Sequence, residues 1–156
     1  GLKIKMKHCK CSHEYEVIPA SFLSGSRCPK CNESKGERAI EESLTRLRIS
    51  HDRQYKFDDC LYKRSLPFDF AVFNADNSIK CLIEYDGEYH YIPKKHAGGE
   101  KGLHYRKRCD AIKTKYCADH NIPLIRIPYW EFDNIEEILT KELRKLGIVT
   151  PESNAS

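Results

Sequence analysis

Apolar and polar positions along the chain change period several times, and each change marks an element. Leu2 to Lys7 alternates apolar with basic residues, and His13 to Ile18 gives a second short extended run before Ser24, Gly25 and Ser26 turn into Cys28-Pro29-Lys30-Cys31. From Ser34 a helix is predicted to about Arg48, with Ser34 as N-cap and Glu37 three residues on in capping-box spacing. His51 to Phe57 reads as a strand, Pro67 admits another from Phe68 to Phe73, and Ile79 to Asp86 is its hairpin partner across the Asn74–Asn77 turn. Pro93 to Gly102 is polar and glycine-bearing, a mobile loop where a substrate would enter. A helix follows from about Leu103 to His120, then a strand from Pro123 to Ile127. A last helix, capped at Asp133 or Asn134, carries Ile135, Ile138, Leu139 and Leu143 at helical spacing up to about Leu146. The order α-β-β-β-α-β-α predicts an α/β (α+β) domain, a mixed sheet flanked by helices. The expected division is a small module at 1–33, the main domain at 34–149, and a disordered tail at 150–156.

Charge sharpens this division. The 156 residues hold 27 basic and 23 acidic side chains, and the whole net +4 lies in the first quarter. Through Gly36 the bases are Lys3, Lys5, Lys7, Lys10, Arg27, Lys30 and Lys35, against the acids Glu14, Glu16 and Glu33. A basic end on a neutral body suits a polyanion. No apolar run approaches the roughly 20 residues needed to span a bilayer, so no membrane role is expected. Cys60, Cys81, Cys109 and Cys117 are scattered through strand-like and helix-like segments and read as small buried hydrophobes in a reducing, intracellular compartment.

The other cysteines are spaced for a metal. His8-x2-Cys11 and Cys28-x2-Cys31 form two knuckles separated by 16 residues, the pattern of a structural tetrahedral zinc site. A module of about 30 residues lacks a core of its own, and zinc supplies folding free energy in its place. Cys9 is the alternative to His8 as first ligand. Lys10, Arg27 and Lys30 surround the knuckles, so the ribbon is either a nucleic-acid contact or a structural prop.

The main domain carries a constellation of acids. Glu84 and Asp86 are two apart at the end of an apolar strand and point the same way, aiming two hard oxygen ligands at one divalent cation. Asp69 lies between Phe68 and Phe70, where an unpaired carboxylate is costly to bury, and the hairpin register brings it toward Glu84 and Asp86. Glu37 shares the inward stripe of its helix with Ile40, Leu44 and Leu47, either as a site residue or as a capping-box acid satisfied by backbone. On the second helix Asp110, Lys113 and Cys117 share a stripe beside a core stripe of Tyr105, Cys109, Ile112 and Tyr116. Two readings of that stripe stand open: an Asp110–Lys113 ion pair, or a Lys113 contact to phosphate with Asp110 orienting His90. The chemistry expected is phosphodiester hydrolysis, with Mg²⁺ held by two or three carboxylates, in a site built on Asp69 and Glu84, and with His90 as general acid or base.

Several segments match a known family. Ser34-Lys35-Gly36-Glu37, Leu66-Pro67-Phe68-Asp69-Phe70, Ile83-Glu84-Tyr85-Asp86-Gly87 with His90, Asp110-x2-Lys113-x2-Tyr116-Cys117 and Leu124-Ile125-Arg126-Ile127-Pro128-Tyr129 together resemble phage-type homing and very-short-patch-repair-like endonucleases. These belong to the PD-(D/E)XK superfamily in its variant form with His and Asp at the active site. The segment from Phe22 to Cys31 looks like the zinc module often placed before that domain, so the resemblance covers about residues 4 to 145. It implies a restriction-endonuclease-like fold and Mg²⁺-dependent cleavage of double-stranded DNA inside a bacterial or phage-infected cell. It also implies Glu37, Asp69, Glu84 and Asp86 as acidic site residues, His90 in proton transfer, and Asp110 and Lys113 as supports. The superfamily's usual Glu-x-Lys reads Glu84-Tyr85-Asp86 here, so the lysine's task passes to His90 or Lys113. The reading from another class is a non-catalytic zinc-ribbon module that binds nucleic acid.

Overall fold

The computed structural model describes residues 1–8, 12–23 and 34–148. β1 (Ile4–Lys7) and β2 (Glu14–Val17) pair antiparallel, with Ile4 opposite Val17 and Lys7 opposite Glu14, so the two alternating runs form a hairpin. Its ends are tied by His8 N–H donating to the His13 carbonyl and Ser12 N–H donating to the His8 carbonyl. A single helical turn, α1 (Pro19–Leu23), follows; five residues are too few to display a helical period in sequence. Cys9, Cys11, Cys28 and Cys31 lie outside the described residues, as does the tail expected from Thr150.

The main domain begins at the predicted cap. α2 (Lys35–Arg46) starts after Ser34, whose Oγ accepts from Glu37 N–H at 3.0 Å and donates to Glu37 Oε1 at 3.0 Å. Then come β3 (His51–Tyr62), β4 (Arg64–Phe73), β5 (Ile79–Asp86), α3 (Gly99–Asp119), β6 (Leu124–Pro128) and α4 (Ile135–Lys145), in the predicted order. The sheet runs β3-β4-β5-β6, antiparallel through β5, with β6 parallel to β5. The class is mixed α/β. On one face α2 and α4 bring Ile40, Leu44, Leu139 and Leu143 onto Phe70, Val72, Ile83 and Ile127. On the other, α3 lays Cys117 over Leu66, Phe68, Ala71 and Leu82.

Element ends differ from the sequence reading for identifiable reasons. β3 runs past Phe57 to Tyr62, and β4 starts at Arg64 rather than Phe68, with Pro67 inside it opposite Lys56. Proline is tolerated there because β5 pairs with β4 only from Phe70 onward, leaving Pro67 a neighbour on one side alone. The polar stretch Pro93–Gly102 is not one loop: Lys95–Ala97 forms a 3-10 turn and α3 begins at Gly99. Gly102 sits in the first turn of α3 because the Ala97 carbonyl packs where a Cβ would stand. Cys60, Cys81 and Cys117 are buried as expected, whereas Cys109 is half-buried. Tyr105 leaves the expected core stripe and is 41% exposed, its ring against that of Tyr62.

Candidate functional site

In-and-out alternation along β4 slips once, at Asp69. Phe70 and Val72 face α2 and α4 and Ala71 faces α3, yet Phe68 packs on the α3 side instead of sharing the face of Phe70. Across the ladder Gln54 stands opposite Asp69, between the pairs Arg53–Phe70 and Tyr55–Phe68, with a left-handed φ of 51°. This local irregularity presents Asp69 to the end of β5, where Asp69 Oδ2 accepts from Tyr85 N–H at 2.7 Å.

Glu84 follows Leu82 on the α3 face and is 2% exposed. Lys113, on the buried side of α3, brings Nζ to 2.6 Å from Glu84 Oε1 while lying over the Phe68 ring. Oε1 is buried, and the Lys113 ammonium is its charged partner. Burial, reinforced by the neighbouring Asp69 carboxyl, pushes Glu84 well above the usual carboxylate range, and Lys113 and Arg126 offset only part of this. Asp69 is raised by burial too, against the Tyr85 N–H and Lys113, which pull it down. Glu37, half-buried at the start of α2, is raised by burial and by Asp69, with the Ser34 hydroxyl opposing. Glu37, Asp69 and Glu84 thus form a row of acids in which each feels the next.

The Asp86 carboxyl acts on Asp69 as well, raising it. Arg126 on β6 pairs with Asp86, donating from Nη1 to Oδ1 at 2.8 Å. His90, one 3-10 turn beyond β5, hydrogen-bonds through Nδ1 to Asp110 Oδ2 at 2.7 Å and stands 3.8 Å from Asp86 Oδ1. Arg126 Nη2 donates to the Asp110 carbonyl at 3.2 Å. Asp110 and Lys113 therefore do not pair with each other: Asp110 holds His90, and Lys113 serves Glu84.

The Asp110 hydrogen bond raises the pKa of His90 above its ordinary value, with burial opposing. Asp110 is lowered: burial acts upward, and His90 and Arg126 outweigh it. With Nδ1 committed to Asp110, Nε2 is the nitrogen left to exchange a proton. Asp86, His90 and Asp110 offer ligand atoms within 4.8 Å of one another, the one such trio among the described residues. A guanidinium already neutralises it, however, since Arg126 reaches both carboxylates. Glu37, Tyr85 and His90 line a cleft of about 400 Å³, and Arg106 closes its side by donating to the carbonyls of Tyr89 and Ala97.

Arg126 is the functional residue that the sequence reading left out. Its signal was visible: a charge inside the apolar run Leu124-Ile125-Arg126-Ile127, in register with Glu84 across the parallel pair.

A family model described as "Protein of unknown function (DUF2726)" matches residues 44–145. The chain belongs to that family. The span shared with the DUF2726 family holds Asp69, Glu84, Asp86, His90, Asp110, Lys113 and Arg126, and leaves Glu37 and the amino-terminal hairpin outside. Uncharacterized protein 094L of Frog virus 3 (isolate Goorha) is 32% identical over 117 residues, 72% of each chain. Uncharacterized protein 307L of Invertebrate iridescent virus 6 is 33% identical over 82 residues, 51% of this chain and 41% of its own length. No solved structure matches the chain significantly. Among the described residues, no helix is long and apolar enough to cross a membrane.

Proposed function

We propose that the chain is a Mg²⁺-dependent DNA endonuclease with a restriction-endonuclease-like core, of the PD-(D/E)XK type that its motifs resemble. The observation that carries the reading is the pair Asp69 and Glu84. Both are desolvated, both stand at the end of a hairpin on either side of the Tyr85 amide, and Lys113 is 2.6 Å from Glu84. The residues fit a magnesium ion. The donors are hard carboxylate oxygens, and Mg²⁺ characteristically uses one or two carboxylates and completes its shell with water and substrate phosphate. When bound, the ion supplies Lewis-acid polarisation of the phosphoryl group and lowers the pKa of a water.

The chain's own residues do the rest. Lys113 occupies the place that the resemblance leaves open, because a cation beside Glu84 is what the usual Glu-x-Lys provides and Asp86 cannot. Its amine neutralises charge on a phosphate oxygen or orients the attacking water. His90, held at Nδ1 by Asp110, exchanges a proton at Nε2, and Arg126 fixes Asp86 and the Asp110 backbone behind it. Glu37 supplies an acid to the cleft that His90 also lines.

The amino-terminal module is proposed to hold a structural zinc ion on His8, Cys11, Cys28 and Cys31. The knuckle spacing supports this, as do the left-handed Ser12 and the backbone bonds joining His8 to Ser12 and His13. Supercoiled plasmid incubated with Mg²⁺, and without divalent metal, tests the nuclease reading on wild type, Asp69→Ala and His90→Ala. Nicking should require Mg²⁺, vanish in Asp69→Ala and fall at least a hundredfold in His90→Ala. Activity without metal, or untouched by Asp69→Ala in a folded variant, refutes it.

A further inference from the structure

Immediately past the site both strands hand over to aromatic residues. Asp86, the last residue of β5, pairs with Pro128 of β6, and the next residues on the β6 side are Tyr129 and Trp130. Tyr91 comes over from the β5 side. Its ring centroid is 4.8 Å from that of Trp130 and 5.9 Å from that of Tyr129, and its hydroxyl donates to Asp86 Oδ2 at 3.4 Å. None of the three rings belongs to either core, and Trp130 is 60% exposed. A tryptophan left in water at the mouth of a polar site is a surface awaiting a planar partner.

Charge narrows the partner. A cleft of about 280 Å³ joins Tyr91 to Asp86, Arg126 and Lys107, and Lys107 makes no ion pair among the described residues. An unengaged ammonium beside an exposed aromatic surface suits a chain that alternates phosphates with flat rings. In an intact duplex both faces of every base are already covered by neighbours, so such a surface accepts only a base outside the stack.

We propose that Trp130, Tyr91 and Tyr129 form a stacking platform for an unpaired nucleobase, and that the preferred substrate is DNA at a junction between duplex and single strand. The substrate's identity as DNA rests on the nuclease reading above; the choice of junction over uninterrupted duplex rests on the platform. The unpaired strand lies across the rings, with a phosphate at Lys107, and leads its neighbouring phosphate to Asp69 and Glu84.

Trp130 is the only tryptophan of the chain, so its fluorescence reports the platform directly. Protein without added divalent metal is titrated with labelled duplex, with the same duplex bearing a single-stranded overhang, and with an overhang of abasic residues. DNA anisotropy reads binding and tryptophan emission reads stacking. The overhang should bind most tightly and quench Trp130, while the abasic overhang should bind without quenching. Trp130→Ala should lose roughly tenfold in affinity for the overhang, with little change for the abasic form, and Trp130→Phe should recover most of it. Binding of the overhang with unchanged emission, equal quenching by the abasic form, or emission that follows protein concentration alone overturns the platform and leaves the nuclease reading standing. No binding to any of the three DNAs refutes the nuclease reading, and the platform with it.

Discussion

Gly36→Ala isolates a contact between the first turn of α2 and the strand that carries the acids. On helix propensity alone the change is favourable, since alanine gains about 1 kcal/mol over glycine inside a helix. The structure predicts the opposite sign. Gly36 is buried against Tyr85, and a Cβ built there would stand 2.1 Å from the ring, far inside van der Waals contact. The ring is half-buried against the α2–α4 core, so it cannot simply swing into water. Overpacking of this kind costs about 1–3 kcal/mol, and a direct overlap with a ring belongs at the upper end. Net of propensity, the loss should be about 2 kcal/mol, or a melting temperature lower by about 4–8 °C for a chain of this size. Because the Tyr85 amide also donates to Asp69, the displaced strand should loosen the hold on that carboxylate as well as lower stability. Urea denaturation of Gly36→Ala, Tyr85→Ala and the double variant checks this, with the double variant recovering most of the clash term. A Gly36→Ala protein more stable than wild type would refute the packing argument.

Asp110→Asn tests the His90 pair through pH. His90 is raised above its ordinary 6.5, so its contribution is full below that value and is lost as pH rises through its folded pKa. Asp110 is lowered below 3.8, so its contribution is present above that value and is lost as pH falls through its folded pKa. The stability gap between wild type and Asp110→Asn should therefore be widest between these values, at about 1–2 kcal/mol for a charged pair that is still partly exposed. A gap independent of pH would count against the pair. Lys113→Met should cost about 2 kcal/mol by leaving Glu84 without its cation, and Glu84→Gln added to it should restore most of the loss; equal destabilisation of single and double variants would contradict the ion pair. Zinc by elemental analysis should approach one ion per chain and disappear when Cys28 and Cys31 are both changed to Ser.

The element order was readable because period alone separates strand from helix here: Ile79–Asp86 is too short and too apolar for a surface helix, and Ile135–Leu143 repeats at helical spacing. Strand ends were harder to read, since Pro67 marks an interruption in sequence but lies where only one neighbour needs its backbone. For the site, the hairpin order brought Asp69 toward Glu84 and Asp86, but did not show which cation would engage Asp86. That outcome depends on β6, which arrives 40 residues later with Arg126. Gln54 left no trace in sequence either, because a left-handed glutamine is imposed by the ladder rather than by its own preference.

Arg126 joins the last strand to the acid end of β5 and to the backbone of α3. Asp86, His90 and Asp110 all precede this guanidinium in the chain. The histidine arrangement therefore becomes rigid only when β6 docks beside β5. One guanidinium thereby makes the order around His90 depend on a strand laid down after the residues it steadies.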